Sequence, residues 1–189
     1  MAINLDLLHR ITEDELVRLS AYNPGYQFER TVEGRLMVSP AGGESGRQRM
    51  EVAGQLYAWN ARTPGGVVFD SSTGFRLPDG SCLSPDASWI ARSRWHALSP
   101  TDQNGLVPLC PHVMFEVRSP SDRRTQLQTK MQQYMQNGAT LAVLVDPEHP
   151  DVEVYRPQRE RELHREASEI ALDPELPGFH LVLNSVWRV

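Results

Sequence analysis

The 189-residue chain holds two cysteines, Cys82 and Cys110, and a single lysine, Lys130. Two thiols make neither a disulfide framework nor a zinc site. Histidines stand singly at positions 9, 96, 112, 149, 164 and 180. With no HxxxH pair among them, zinc-hydrolase chemistry is disfavoured. No apolar run approaches the ~20 residues of a membrane helix. Met1 to Arg10 carries Asp6 and no apolar stretch ahead of a small-residue cleavage site, so it does not read as a signal peptide. The expectation is a cytoplasmic protein with no membrane partner. No internal repeat, low-complexity tract or aromatic array for stacking single strands is visible.

What is present is a foldable chain. Apolar residues make up 40% and charged residues 23%, which excludes global disorder. The length suits one domain over residues 1–189. Net charge is −5, which counts against easy binding of nucleic acid, but the charge is uneven. Residues 21–145 carry 10 acidic and 12 basic side chains, and residues 146–189 carry 10 acidic and 5 basic. The local field over the middle of the chain is therefore slightly positive. Eighteen of the 19 basic residues are Arg. Genome composition accounts for such a bias, yet a lone Lys that persists within it is a candidate, because a buried Lys can lose its proton and Arg cannot.

Thr12-Glu13-Asp14-Glu15 reads as a capping box opening a short helix that ends before Asn23-Pro24-Gly25. Tyr26–Thr31 and Arg35–Ser39, joined at Glu33-Gly34, read as a hairpin. From Glu44 to about Asn60 the period is helical, with Val52, Leu56 and Trp59 on one face and Met50, Ala53 and Tyr57 beside it. Short strands follow at Val67–Asp70, Gly74–Leu77 and Asp86–Ala91, then an irregular stretch over 92–111. Val113–Arg118 is an apolar strand, Asp122–Asn137 a helix started by Ser or Asp and ended at Asn137-Gly138, and Thr140–Val145 an apolar strand. This is a βαβ unit. Leu127, Met131, Tyr134 and Met135 form the helix's buried stripe, with Tyr134 as a packing residue. Asp151–Arg156 and Arg161–His164 read as an antiparallel extension.

Three polar residues interrupt this pattern. Asp86 follows Pro85 at the start of a strand, Glu116 breaks an apolar strand, and Lys130 borders the buried stripe of the next helix. Strand alternation places Glu116 on the face opposite Val113, Phe115 and Val117. Lys130 lies about eight residues into a helix that runs back along its strand, which is ~12 Å of rise. At ~3.3 Å per strand residue that spans roughly 3.6 residues, counting back from Arg118 to near residue 115. Lys130 and Glu116 can therefore meet. Two carboxylates and an ammonium at one place on a sheet suit a hard cation such as Mg²⁺, with Mn²⁺ as its substitute, beside a phosphate. The plainer alternatives are a Ser-Pro-Asp turn, a Glu paired with an Arg, and a Lys whose stem covers the core.

The set Pro85-Asp86, Glu116-Val117-Arg118 and Lys130 resembles the PD-(D/E)xK nuclease superfamily. More closely, the chain resembles the Uma-two family of restriction endonuclease-like proteins. The resemblance runs through Phe28-Glu29-Arg30, Met37-Val38-Ser39-Pro40, Asp70-Ser71-Ser72-Thr73-Gly74-Phe75, Leu83-Ser84-Pro85-Asp86, Phe115-Glu116-Val117-Arg118-Ser119-Pro120-Ser121, Lys130-Met131-Gln132-Gln133-Tyr134 and Leu176-Pro177-Gly178-Phe179. It implies an α/β, restriction endonuclease-like fold with a central mixed β-sheet flanked by helices. It further implies Asp86 and Glu116 as metal ligands, Lys130 as the catalytic lysine and Glu29 as an additional acidic residue. The expected activity is Mg²⁺-dependent hydrolysis of phosphodiester bonds in double-stranded DNA by a homodimer. The superfamily pattern has Lys where this chain has Arg118, and Arg cannot act as a base at pH 7. Either the role has moved to Lys130, leaving Arg118 as a candidate phosphate contact, or the chain is a nuclease-fold binding or assembly module with little or no catalysis.

Overall fold

The computed structural model describes residues 3–5, 9–40 and 42–187. In chain order the elements are β1 Ile3–Leu5, α1 Glu13–Tyr22, β2 Tyr26–Arg30, β3 Leu36–Pro40, α2 Gly43–Arg62, β4 Gly66–Asp70, β5 Phe75–Arg76, β6 Cys82–Leu83 and β7 Ala87–Ala91. There follow α3 Arg92–His96, α4 Pro100–Asn104, β8 Val113–Val117, α5 Arg124–Gln136, β9 Leu141–Asp146, β10 Asp151–Tyr155, β11 Glu162–Arg165, β12 Glu169–Ala171 and β13 His180–Val182.

Six strands form the central sheet, in the order β11-β10-β9-β8-β7-β4. β8 and β9 run parallel, joined through α5, and every other neighbour in this sheet is antiparallel. The sheet is therefore mixed, and it is covered on both faces. Val113, Phe115 and Val117 of β8 point into one core with Val52, Leu56 and Trp59 of α2. Met114 of β8 points into the other with Met131 and Tyr134 of α5. Because successive strand residues alternate, Glu116 falls with Met114 on the α5 face. The apolar residues at i, i+4 and i+7 on α2 thus bury one face of the sheet, and the stripe of α5 buries the other.

A second, antiparallel sheet has the order β1-β3-β2-β6-β5. The two-residue β6 belongs to this second sheet through Arg30↔Cys82, and four residues later the chain enters β7 of the central sheet. The connecting Ser84-Pro85-Asp86 therefore ties the two sheets together, and it brings Asp86 to the C-terminal end of β8.

Two glycines are needed where they stand. Gly138 has φ of +94° and ends α5, as the Asn137-Gly138 pair predicts. A Cβ at Gly66 would sit 2.3 Å from the Ile90 carbonyl oxygen and 2.3 Å from the Trp89 ring, so β4 packs on β7 only with glycine there. The Thr12 capping box is present as expected, with Thr12 N–H donating to Glu15 Oε2 at 2.7 Å and Glu15 N–H to Thr12 Oγ1 at 3.3 Å. The start of α5 differs from the expectation. Its N-cap is Arg123, with no side-chain cap, and Asp122 Oδ2 instead accepts from Ser119 N–H (2.9 Å) and Oγ–H (2.7 Å). These residues close a turn one step before the helix, the local alternative that Ser and Asp offer the backbone. Met50 and Tyr57 are exposed, since the face of α2 that packs is narrower than the one expected.

Candidate functional site

The residues that converge come from four elements and the linker before β7. Glu29 is the inward-facing residue of β2, Arg49 lies on α2, Asp86 precedes β7, Glu116 is on β8, and Lys130 and Tyr134 are one turn apart on α5. Glu29, Asp86 and Glu116 are buried. All of them except Tyr134 line one cavity of about 470 Å³, together with Gln27, Met37, Arg123 and the α5 side chains Gln126, Gln132 and Gln133.

Lys130 Nζ lies 2.7 Å from Glu116 Oε1 and 2.9 Å from Glu29 Oε1. The helix-rise count that put residue 130 level with Glu116 is thus borne out by the structure. Tyr134 O–H donates to the same Glu116 Oε1 at 2.9 Å, and Lys130 Nζ stands 5.9 Å from the Tyr134 ring centre. Tyr134 is therefore more than the packing residue expected from its place on the buried stripe. Its spacing of four from Lys130 was the signal that both serve one place. Glu29 Oε1 also accepts from Ser84 N–H at 2.6 Å, and Gln27 Nε2 donates to Ser84 O at 2.6 Å. The second sheet is fastened to the linker by these two contacts. Asp86 Oδ2 accepts from Val117 N–H at 2.7 Å, and Asp86 Oδ1 faces Arg49 Nε at 2.9 Å. No spacing rule links residue 49 to residue 86, and Arg49 was missed in the sequence.

Arg118 is not brought to this place. Its Nη1 reaches both oxygens of Asp146 at 3.0 Å and its Nε donates to the Asp122 carbonyl at 3.1 Å. It is absent from the lining of the cavity. Arg118 belongs to a separate ionic network in which Arg124 bridges Asp146, Asp151 and the buried Glu153, and Arg161 and Gln128 complete Glu153. That network holds the first turn of α5 to β9 and β10, and so sets the height at which Lys130 projects. Cys82 and Cys110 are free, buried thiols outside the site.

Three carboxylates face two cations here, so one buried negative charge is in excess. Burial above all, and then the like charges of Asp86 and Glu29, push the Glu116 carboxyl up to about 8, against the pull of Lys130. Asp86 is also raised, again by burial first, with Arg49 and the Val117 N–H opposing. For Lys130, burial alone would lower the value, but Glu116 and Glu29 outweigh it and the ammonium is held charged. Burial and the like charges thus favour a proton on these acids, and a further positive charge would oppose it. A carboxyl that is easier to protonate when folded stabilises the fold fully below its ordinary value of 4.5, and this contribution is lost as pH rises through about 8. The melting temperature of the metal-free protein should therefore fall by several degrees between pH 6 and pH 9, and Glu116→Gln should flatten that slope. Equal slopes in the two proteins would contradict the reading of Glu116.

Among the described residues no three His, Cys, Asp or Glu side chains are grouped to hold an ion. Asp86 and Glu116 are the pair that the sequence pattern offers as ligands, and the cavity lining supplies oxygen donors with no imidazole or thiolate. That donor set matches a hard cation held through one or two carboxylates and water, and does not match zinc.

The fold is shared with a solved structure, described as a putative nuclease belonging to DUF820 from Anabaena variabilis ATCC 29413. The two are 22% identical over 94% of this chain and 97% of that one, with a TM-score of 0.74. The architecture is thus the α/β one, with a central mixed sheet flanked by helices, that the sequence resemblance implied. A comparison with curated proteins finds no match. Residues 13–184 match the model of the Uma2 family, described as "Putative restriction endonuclease", and with nearly its whole length matched the chain belongs to that family.

Proposed function

We propose that the chain is an endonuclease that hydrolyses phosphodiester bonds of double-stranded DNA with the help of Mg²⁺ or Mn²⁺. One observation carries this reading. The chain's only lysine is seated between two buried carboxylates, beside a third, and lines the cavity. A pattern that served stability alone would not need it, because buried ion pairs are at best weakly stabilising relative to apolar packing. Asp86 and Glu116 would hold the cation, which when bound supplies charge neutralisation and a more acidic water.

The protein's own groups do the rest. Glu29 and Glu116 fix the ammonium of Lys130 so that its remaining donor direction is available to a phosphoryl oxygen or to the attacking water. Tyr134 O–H donates to Glu116 Oε1, which helps to fix the carboxylate. The Val117 N–H holds Asp86 in the same way. The amides of Gln126 and Gln132 along α5 offer uncharged donors and acceptors at the cavity wall, suited to sugar, phosphate and base edges. A homodimer follows from the substrate, since one site per strand cuts a duplex most simply.

A second reading, a binding or assembly module without hydrolysis, is favoured by a different observation: Asp86 Oδ1 already faces a guanidinium. Supercoiled plasmid incubated with the protein in Mg²⁺, in Mn²⁺ and in chelator separates the two. Nicked and linear products in either metal and none in chelator support the nuclease. Intact plasmid in all three, with DNA retained on the protein in a mobility shift, supports the module.

A further inference from the structure

Among the buried charges of the site, Arg49 is the one whose fit is incomplete. Its Nε comes within 2.9 Å of Asp86 Oδ1, close enough for charge to act. Yet the N–H is not aligned on any acceptor, and Nε is a buried donor with no hydrogen bond among the described residues. A guanidinium built as a permanent partner of a carboxylate aligns its fork, because unaligned buried N–H groups cost free energy. The other oxygen of Asp86 is committed to the Val117 N–H at 2.7 Å, where β7 meets β8. Oδ1 is therefore the oxygen of Asp86 not held by the backbone, and Arg49 is what stands there. The Arg49 side chain lines the cavity and is 18% exposed, so the guanidinium has room to turn off Asp86 and remain at the site. The charge count agrees. With Arg49 on Asp86 and all three acids ionised, the five groups carry one net negative charge. A divalent cation in its place brings the acids to balance with Lys130, and the displaced guanidinium then adds one positive charge beside them for an anionic phosphate.

We propose that Arg49 is a built-in counter-ion that occupies Asp86 until a divalent cation displaces it, and that it thereby sets the affinity of the site for that cation. The displaced guanidinium then faces a phosphate oxygen of the substrate. This inference rests on the metal-dependent reading above, and Arg49 acts in it as a positioning residue.

Calorimetric titration of the full-length protein with Mn²⁺ alone, without DNA, tests it on the wild type, Arg49→Gln and Arg49→Lys, each checked for folding by circular dichroism. The expected result is that Arg49→Gln binds Mn²⁺ about tenfold more tightly than the wild type, the scale of removing one charge contact in a partly solvated pocket. Arg49→Lys, which keeps the charge, gains nothing. Binding by Arg49→Gln alone, with none in the wild type, supports the inference most strongly. Equal or weaker binding in Arg49→Gln, or the same gain in Arg49→Lys, overturns it and leaves the metal-dependent reading standing. No Mn²⁺ binding in any of the three overturns both.

Discussion

Cleavage is lost in Lys130→Met, by a factor of about 10²–10⁴, the range that a positioned proton donor or acceptor contributes. The substitution keeps the length of the stem and removes only the ammonium. Glu29 and Glu116, whose Oε1 atoms both lie within 3 Å of Nζ, are left facing each other with no counter-charge. Removing one member of a buried ionic cluster costs about 3–5 kcal/mol, so this variant is less stable as well as inactive. The two effects separate in the double variant Glu29→Gln, Lys130→Met, in which the surplus carboxylate is neutralised. That protein regains most of the lost stability and none of the activity. Plasmid nicking in Mn²⁺, measured beside a thermal melt, reads both. Wild-type nicking by a folded double variant would remove Lys130 from the chemistry.

Asp86→Asn is expected to have an equally large effect on activity with the opposite effect on stability. The Asn side-chain oxygen keeps the bond from the Val117 N–H, so β7 and β8 stay joined at this point. The buried charges then balance, with Glu29 and Glu116 against Lys130 and Arg49. A site that carried one uncompensated buried negative charge no longer does, and the melting temperature at pH 8 is unchanged or higher. Cleavage falls by more than about 10²-fold, since even outer partners of metal ligands are worth 10–100-fold and Asp86 is proposed as a ligand itself. A variant that is both destabilised and active would show that Asp86 is a structural turn residue with Arg49 as its ordinary partner.

The parts of this site differed in how far they could be read from the chain. Glu116 and Lys130 were legible because they lie on one βαβ unit, where two regular rises convert sequence distance into height. Their 2.7 Å contact is what that conversion predicts. Tyr134 was half legible. Four residues from Lys130, it shared a side, but its position on an apolar stripe concealed the hydroxyl that reaches Glu116. Glu29 entered only through family resemblance, since its strand belongs to a second sheet that the sequence reading did not separate from the first. The two-residue β6 and the three-residue β12 are too short to show a period of two. Without β6 nothing in the pattern joins β2 to the Ser84-Pro85-Asp86 linker. Arg49 was illegible for a related reason. The buried stripe of α2 predicts which residues meet the sheet, but not which neighbour at the stripe's edge reaches a carboxylate from another element. Arg118 shows the converse. Its proximity to Glu116 in sequence suggested a shared site, yet the strand ends at Val117 and the guanidinium turns to Asp146.

A crystal of the protein grown or soaked in Mn²⁺ and measured for anomalous scattering tests the central claim most directly. A single strong peak within coordinating distance of both Asp86 and Glu116, in the cavity that also holds Lys130, is the predicted result. A fully occupied ion elsewhere, or none in that cavity at millimolar Mn²⁺ with Asp86 still against Arg49, would contradict it.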